Sequence, residues 1–278
     1  MIKVNKSVFV ILGATLLMSA CGGNKEEQVV DVQTTTDTLS QDVRGDMTIL
    51  RGSIPSPSDL TSVLSKAGYN YNKNSMNSTS KASSYSSKFQ QAANLGGYGA
   101  CLGYATAYKQ NQDVIDYMAQ MSKLAKSIGI DSAFDPEFMK AVSENIGKED
   151  TVRRLIDRAY DKAERNLRSN DRVEVTTLVV AGGWVEGLYI ASDIIGGKPK
   201  DDKNAIAYDQ IYSHINALPY VIDFLSHFPK NQDCINLSKE LKELRDIIDP
   251  LAKTKDFNQE NVAKIKEAIT PLRNKIVS

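Results

Sequence analysis

Histidine is nearly absent: the 278 residues hold only His214 and His227. Thirteen positions apart on a helix, the two point to different faces. No His-Glu-x-x-His motif accompanies them, so no metal centre is expected. Cysteine is almost as scarce. Cys21, Cys101 and Cys234 form no cluster, and without a Gly-x-Ser-x-Gly elbow a nucleophilic triad is poorly supplied. Excess charge of either sign is missing too. The 34 basic and 34 acidic residues balance and no stretch is strongly basic, so nucleic acid is not an expected partner. Gly97-Tyr-Gly-Ala-Cys-Leu-Gly103 has one residue too many for a dinucleotide fingerprint, and residues 88–94 before it read as helix rather than strand. No cofactor is expected.

Long apolar runs are confined to two places. Residues 178–197 have the length of a membrane span but carry Glu186 and Asp193, which argues against one. The other run is a leader. Lys3 and Lys6 precede an apolar stretch from Val8 to Met18, which ends in Leu17-Met-Ser-Ala-Cys21. The small residues before Cys21 resemble a lipobox, where cleavage leaves Cys21 as an acylated N-terminus carrying palmitate or a similar chain. Met18 stands where leucine is usual, and an ordinary secretory signal with a chance cysteine is the other reading. No aspartate follows Cys21, which favours the outer membrane, and Lys25-Glu-Glu27 looks like a surface-export tag or a solvated tether. Which membrane face the body occupies stays open.

Residues 21–48 are rich in Thr, Asp, Gln and Gly and read as a flexible tether. Ile49 to Ser58, with Pro55 and Pro57, reads as an extended arm. Leu60, Val63, Leu64 and Ala67 share one helical face that stops at Gly68, and residues 69–80 read as polar loop. Helical signals then dominate. One helix runs from about Ser84 to Lys109, and a second carries Val114, Tyr117, Met118, Met121, Leu124, Ala125 and Ile128 up to Gly129. Asp135-Pro136 starts a third. The next turns Val152, Leu155, Ile156, Ala159, Tyr160, Ala163 and Leu167 inward and arginines outward. A central helix covers about 171–195 despite its β-branched start, Val173 to Val180. Residues 204–228 read as one helix kinked at Pro219. The last two, about 231–253 and 258–276, carry narrow stripes (Leu237, Leu241, Leu244, Ile248, Leu251; Val262, Ile265, Ile269, Leu272, Ile276) suited to an antiparallel hairpin.

Glycine is concentrated where helices are expected, at about 1 kcal/mol each against alanine, so close packing must compensate. Gly99, Gly103 and Ala107 form one bare stripe and Gly183, Gly187 and Ala191 another, and the two are expected to cross. Gly96-Gly97-Tyr98 and Gly182-Gly183-Trp184 echo each other, through internal duplication or through the shared demands of tight packing. Leu95-Gly-Gly-Tyr-Gly-Ala-Cys-Leu-Gly-Tyr-Ala105, Ala181-Gly-Gly-Trp-Val-Glu-Gly-Leu-Tyr-Ile-Ala191 and Ile54-Pro-Ser-Pro57 resemble an uncharacterised family of Bacteroidetes lipoproteins over most of the mature chain. The resemblance implies an all-helical, lipobox-bearing protein and brings no catalytic role. Cys101 stands where relatives are expected to have aspartate, which puts in doubt any chemistry needing an acid there.

Glu186, a lone acid among glycines and apolar residues, is the candidate catalytic group. On a helix it shares a face with Val179, Gly182, Tyr189, Ile190 and Asp193. Gly182 would leave a notch beside it, where a partly buried acid could bind a cation or act as general base. A structural ion pair with Arg154, Arg158 or Arg172 is the competing reading. Tyr98, Tyr104, Tyr108, Tyr160 and Tyr189 could line a groove for carbohydrate or peptide, or serve as core residues whose hydroxyls reach a partner. Cys101 and Cys234 could pair, for about 4–5 kcal/mol in the chain-entropy model, or remain separate thiols.

The expected protein is all-α, a bundle of about eight helices with a glycine-rich central pair and a C-terminal hairpin. Residues 1–20 are its signal peptide, 21–48 its tether and 49–278 one helical domain. The expected function is non-catalytic binding or scaffolding of an envelope protein at the outer membrane, held through Cys21, by a groove beside the central helix or by the hairpin. The alternative is a hydrolase-like enzyme using Glu186. It needs Glu186 to open into a cleft with a second polar group in reach; scaffolding needs an exposed apolar patch, expected on the last two helices.

Overall fold

The computed structural model describes residues 57–169 and 172–278. The leader, Cys21, the tether and the arm up to residue 56 lie outside the described residues. All regular structure among those described is helical. In chain order the α-helices are α1 (Pro57–Lys66), α2 (Lys88–Ala107), α3 (Asn111–Ser127), α4 (Pro136–Glu144), α5 (Glu149–Ser169), α6 (Val173–Ile195), α7 (Ala205–Asn216), α8 (Leu218–Ser226), α9 (Gln232–Ala252) and α10 (Gln259–Ile276). Three 3₁₀ turns, Lys73–Ser75, Thr79–Ser83 and Asp131–Phe134, interrupt the loops.

Local chemistry explains most boundaries. Ser87 and Gln90 close a reciprocal capping box on α2, and Asn258 and Asn261 do the same on α10. Asp135 caps α4 through the Phe138 N–H, with Pro136 at the first position. Gly129, at φ 72°, takes the left-handed turn after α3 that a side chain would resist. Two boundaries depart from expectation. Pro57, placed in an extended arm by sequence, opens α1 instead, where its missing N–H needs no partner. The helix expected over 204–228 is two helices, α7 and α8. Pro219 cannot donate back into α7, and the Ala217 N–H closes a tight turn onto the His214 carbonyl at 3.2 Å.

At the centre, α2 and α6 make the most extensive contact of any two elements. A Cβ on Gly96 would lie 1.8 Å from the Val179 carbonyl oxygen, and one on Gly182 would lie 2.0 Å from the Ala93 carbonyl oxygen. The two contacts are the same contact with the helices exchanged: each glycine meets the residue three positions before the other. The crossing therefore runs through the echoed Gly-Gly pairs. This corrects the expected stripe on α2, while Gly183 of the α6 stripe does lie at the crossing, its N 2.8 Å from the same added Cβ on Gly96. Gly99 faces α5, where an added Cβ would meet the Tyr160 hydroxyl at 1.5 Å. Helix α6 is long and apolar enough to cross a bilayer, yet most of it is buried inside the protein. Helix α10 packs along α6, and α9 bridges α10 and α8. Leu237, Leu241, Leu244 and Ile248 of α9 and all five stripe residues of α10 are buried, as their spacing predicts.

Candidate functional site

Helix α6 is enclosed along nearly its whole length, so a carboxylate at position 186 must find partners inside the protein. Glu186 is 2% exposed. Arg273 of α10 donates to it as a fork, Nε to Oε2 at 3.0 Å and Nη2 to Oε1 at 3.1 Å. The Asn77 backbone N–H adds a bond of 2.8 Å to Oε1, and the Cys101 thiol lies 3.6 Å from the same oxygen. The partner is thus none of Arg154, Arg158 and Arg172. The Arg273 guanidinium also covers the Tyr189 ring, 4.5 Å from its centroid. Two turns further along α6, Asp193 binds Lys266 at 2.6 Å and accepts from Ser75 Oγ. Glu186 and Asp193, seven residues apart, meet Arg273 and Lys266, also seven apart and running in the opposite direction. The candidate face is the α6–α10 interface.

The segment expected to be a polar loop covers this interface from the other side. Ser75 and Asn77 are each 1% exposed. The Asn77 carbonyl accepts from Tyr117 at 2.7 Å, and its carboxamide donates to Asn94 Oδ1 and to the Tyr85 hydroxyl, both at 2.9 Å. Asn94 passes the network on to the Ile276 carbonyl at 2.7 Å. Tyr98 donates to the Ser78 carbonyl at 2.9 Å, and the Tyr104 hydroxyl accepts the Asn72 N–H at 2.9 Å. Tyr71 donates to Asp113 at 2.6 Å, and Lys73 binds the same carboxylate. Burial works to raise Asp113, but the Lys73 ammonium and Tyr71 hydroxyl hold it below the ordinary aspartate value. Burial pushes Tyr104 up to about 12 and Tyr98 and Tyr117 higher still, so all three remain neutral hydroxyls.

The expected groove residues are largely occupied by one another and by their neighbours. Tyr98 and Tyr104 are fully buried, Gly182 lies against the Ala93 backbone, and Tyr189 sits beneath Arg273 and Lys266. No known protein family, curated protein or solved structure matches the chain.

Cys101 and Cys234 are both buried and free, so the expected alternative of a disulfide does not hold. Burial and the Glu186 charge raise Cys101 well above the usual thiol value, which leaves it inert as a nucleophile. His214 is enclosed against α6. Its Nε2 donates to the Trp184 carbonyl and the Trp184 indole N–H donates to the His214 carbonyl, each at 2.9 Å, with the two rings stacked. That arrangement fixes the tautomer and leaves Nδ1 without a partner. Among the described residues, no group of three His, Cys, Asp or Glu side chains is placed to hold a metal.

An open concavity lies elsewhere. A cleft of about 410 Å³ separates the Thr79–Ser83 turn from the later turns of α3. Thr79, Ser80 and Ser83 form one wall, Gln120, Lys123 and Ser127 the other, and Ala82, Tyr85 and Leu124 the buried floor. Sequence reasoning missed this cleft and the groups that hold it. The heptad match between Glu186/Asp193 and Arg273/Lys266 was a readable signal for the ion pairs; nothing in the sequence marked Asn77.

Proposed function

We propose that this protein is a lipoprotein of the outer membrane, held by acyl chains on Cys21, whose helical body binds an envelope partner or ligand without catalysing a reaction. The leader and the lipobox-like Leu17-Met-Ser-Ala-Cys21 support the anchor, and the family likeness around Gly96 and Gly182 belongs to the same reading. The observation that carries the non-catalytic part is the state of Glu186. A general acid or base must reach a substrate proton, whereas this carboxylate is spent on Arg273 and on the Asn77 N–H. The hydrolase alternative loses its acid. Binding through the C-terminal hairpin has less support than binding through the cleft, because the exposed Ile235 and Ile247 of α9 are single residues on different faces.

The test has two parts. Cells expressing the full chain are fed a labelled fatty acid and fractionated; the wild-type protein carries label into the outer membrane, and Cys21→Ser carries none. Label-free protein in a soluble fraction would overturn the anchor. The protein is then cross-linked in its membrane, extracted in detergent, and the products identified by mass spectrometry. A stoichiometric partner or retained ligand supports the binding role.

A further inference from the structure

We propose that the cleft between the Thr79–Ser83 turn and α3 takes a small polyhydroxylated ligand bearing one carboxylate, that is, a sugar acid unit of an acidic glycan. This rests on the reading of the protein as a binding module and names the chemistry that the module selects. Both walls are built from polar groups: the hydroxyls of Thr79, Ser80 and Ser83 and the carboxamide of Gln120 donate and accept, while Ser127, whose hydroxyl donates to the Lys123 carbonyl at 3.0 Å, offers an acceptor. Sugar hydroxyls present the same dual character. Gln120, Lys123 and Ser127 follow one another at three- and four-residue steps, which brings them to one face of α3. Among the described residues, Lys123 is the sole charged member of the lining, and no carboxylate lines the cleft to neutralise it. Its ammonium donates to the neutral Gln120 Oε1 at 3.1 Å, a bond that an incoming carboxylate can replace with a charge-assisted one.

Size and rigidity agree. The volume of about 410 Å³ falls within the roughly 300–1,000 Å³ of small-ligand sites, but the polar walls suit a hydrated sugar rather than an apolar molecule. A single ammonium matches one carboxylate better than a dianionic phosphate. The turn that forms one wall is fixed from behind: Tyr98 holds the Ser78 carbonyl, Tyr85 holds Asn77, and Lys81 reaches the Val277 carbonyl at 2.9 Å. A wall held in place before binding loses little freedom when a ligand arrives. The buried Glu186–Asn77 network thus has a consequence at the surface, since it sets the position of the residues that would touch the ligand.

Titration calorimetry of the detergent-extracted full-length protein tests this, with a glucuronic acid disaccharide, the matching neutral glucose disaccharide and inorganic phosphate as probes. The acidic disaccharide is expected to saturate the protein and to bind at least roughly tenfold more tightly than the neutral one. Lys123→Gln should erase that preference without moving the urea midpoint, and Ser127→Trp, which fills the cleft, should abolish both signals. Equal affinities, preference for phosphate, absence of saturation, or an unchanged preference in Lys123→Gln overturns the proposal. The cross-linking experiment separates the two levels. A stoichiometric partner with no sugar binding sinks this inference alone; neither partner nor sugar sinks the binding role as well.

Discussion

At the scale of single residues, the dominant feature is a charge pair that the fold cannot leave half made. Breaking a buried pair by removing one partner costs about 3–5 kcal/mol, because the remaining charge keeps its desolvation penalty. Arg273→Met strands a carboxylate that is 2% exposed, and Glu186→Gln strands the guanidinium. Each single variant should lower the urea midpoint clearly, and the double variant should lose less than the two losses added. Wild-type midpoints in both single variants would show that the pair contributes nothing to stability. His214 makes a second residue-scale prediction. Burial lowers it from 6.5 to about 4, because a charged ring in the core would have an unpartnered Nδ1–H. The unfolded chain takes up this proton first as pH falls. The contribution is therefore whole above about pH 6.5 and is lost between there and pH 4, on the order of 3 kcal/mol in all. Urea midpoints measured at pH 7 and pH 5 should fall less in His214→Gln than in the wild type; parallel losses would discount the histidine.

At the scale of elements, the glycines of α2 and α6 are not equivalent, although the sequence presents them alike. Gly96→Ala and Gly182→Ala each drive a Cβ into a backbone carbonyl of the opposing helix, which cannot swing aside. Both should destabilise by about 1–3 kcal/mol or more through forced separation of the pair. At Gly97 an added Cβ meets the Glu186 Cβ at 3.5 Å, an ordinary contact. Gly97→Ala should be neutral or stabilising by up to about 1 kcal/mol, through helix propensity alone. Thermal melts of the three variants give the ranking, and a Gly97→Ala as damaging as Gly182→Ala would refute the crossing geometry. Elements with apolar stripes were legible in the amino-acid spacing: α3 and α10 bury every residue that it predicts, and α5 and α9 bury all but Leu155, Tyr160 and Leu251, which are half-buried against the core. The segment around Asn77 was not. Its burial depends on partners 8 to 109 residues away, and a run of Asn and Ser carries the same composition whether water or tyrosines surround it.

At the scale of the whole molecule, the two cysteines among the described residues are buried and separate, which makes the helical body insensitive to redox conditions. Reductant should leave the melting midpoint unchanged, and Cys101 and Cys234 should react with a thiol reagent only after denaturant is added. A midpoint that falls on reduction would contradict the free-thiol arrangement. The sequence by itself determined the helical class, most helix positions and the need for two glycine-bearing helices to meet, because periodicity and small side chains act locally or between any two close helices. Only the tertiary structure decided which arginine neutralises Glu186, that Tyr98 and Tyr104 are buried, and that a cleft opens beside α3. Those outcomes depend on which distant side chains arrive at one place, and a buried charge accepts whichever partner the packing delivers.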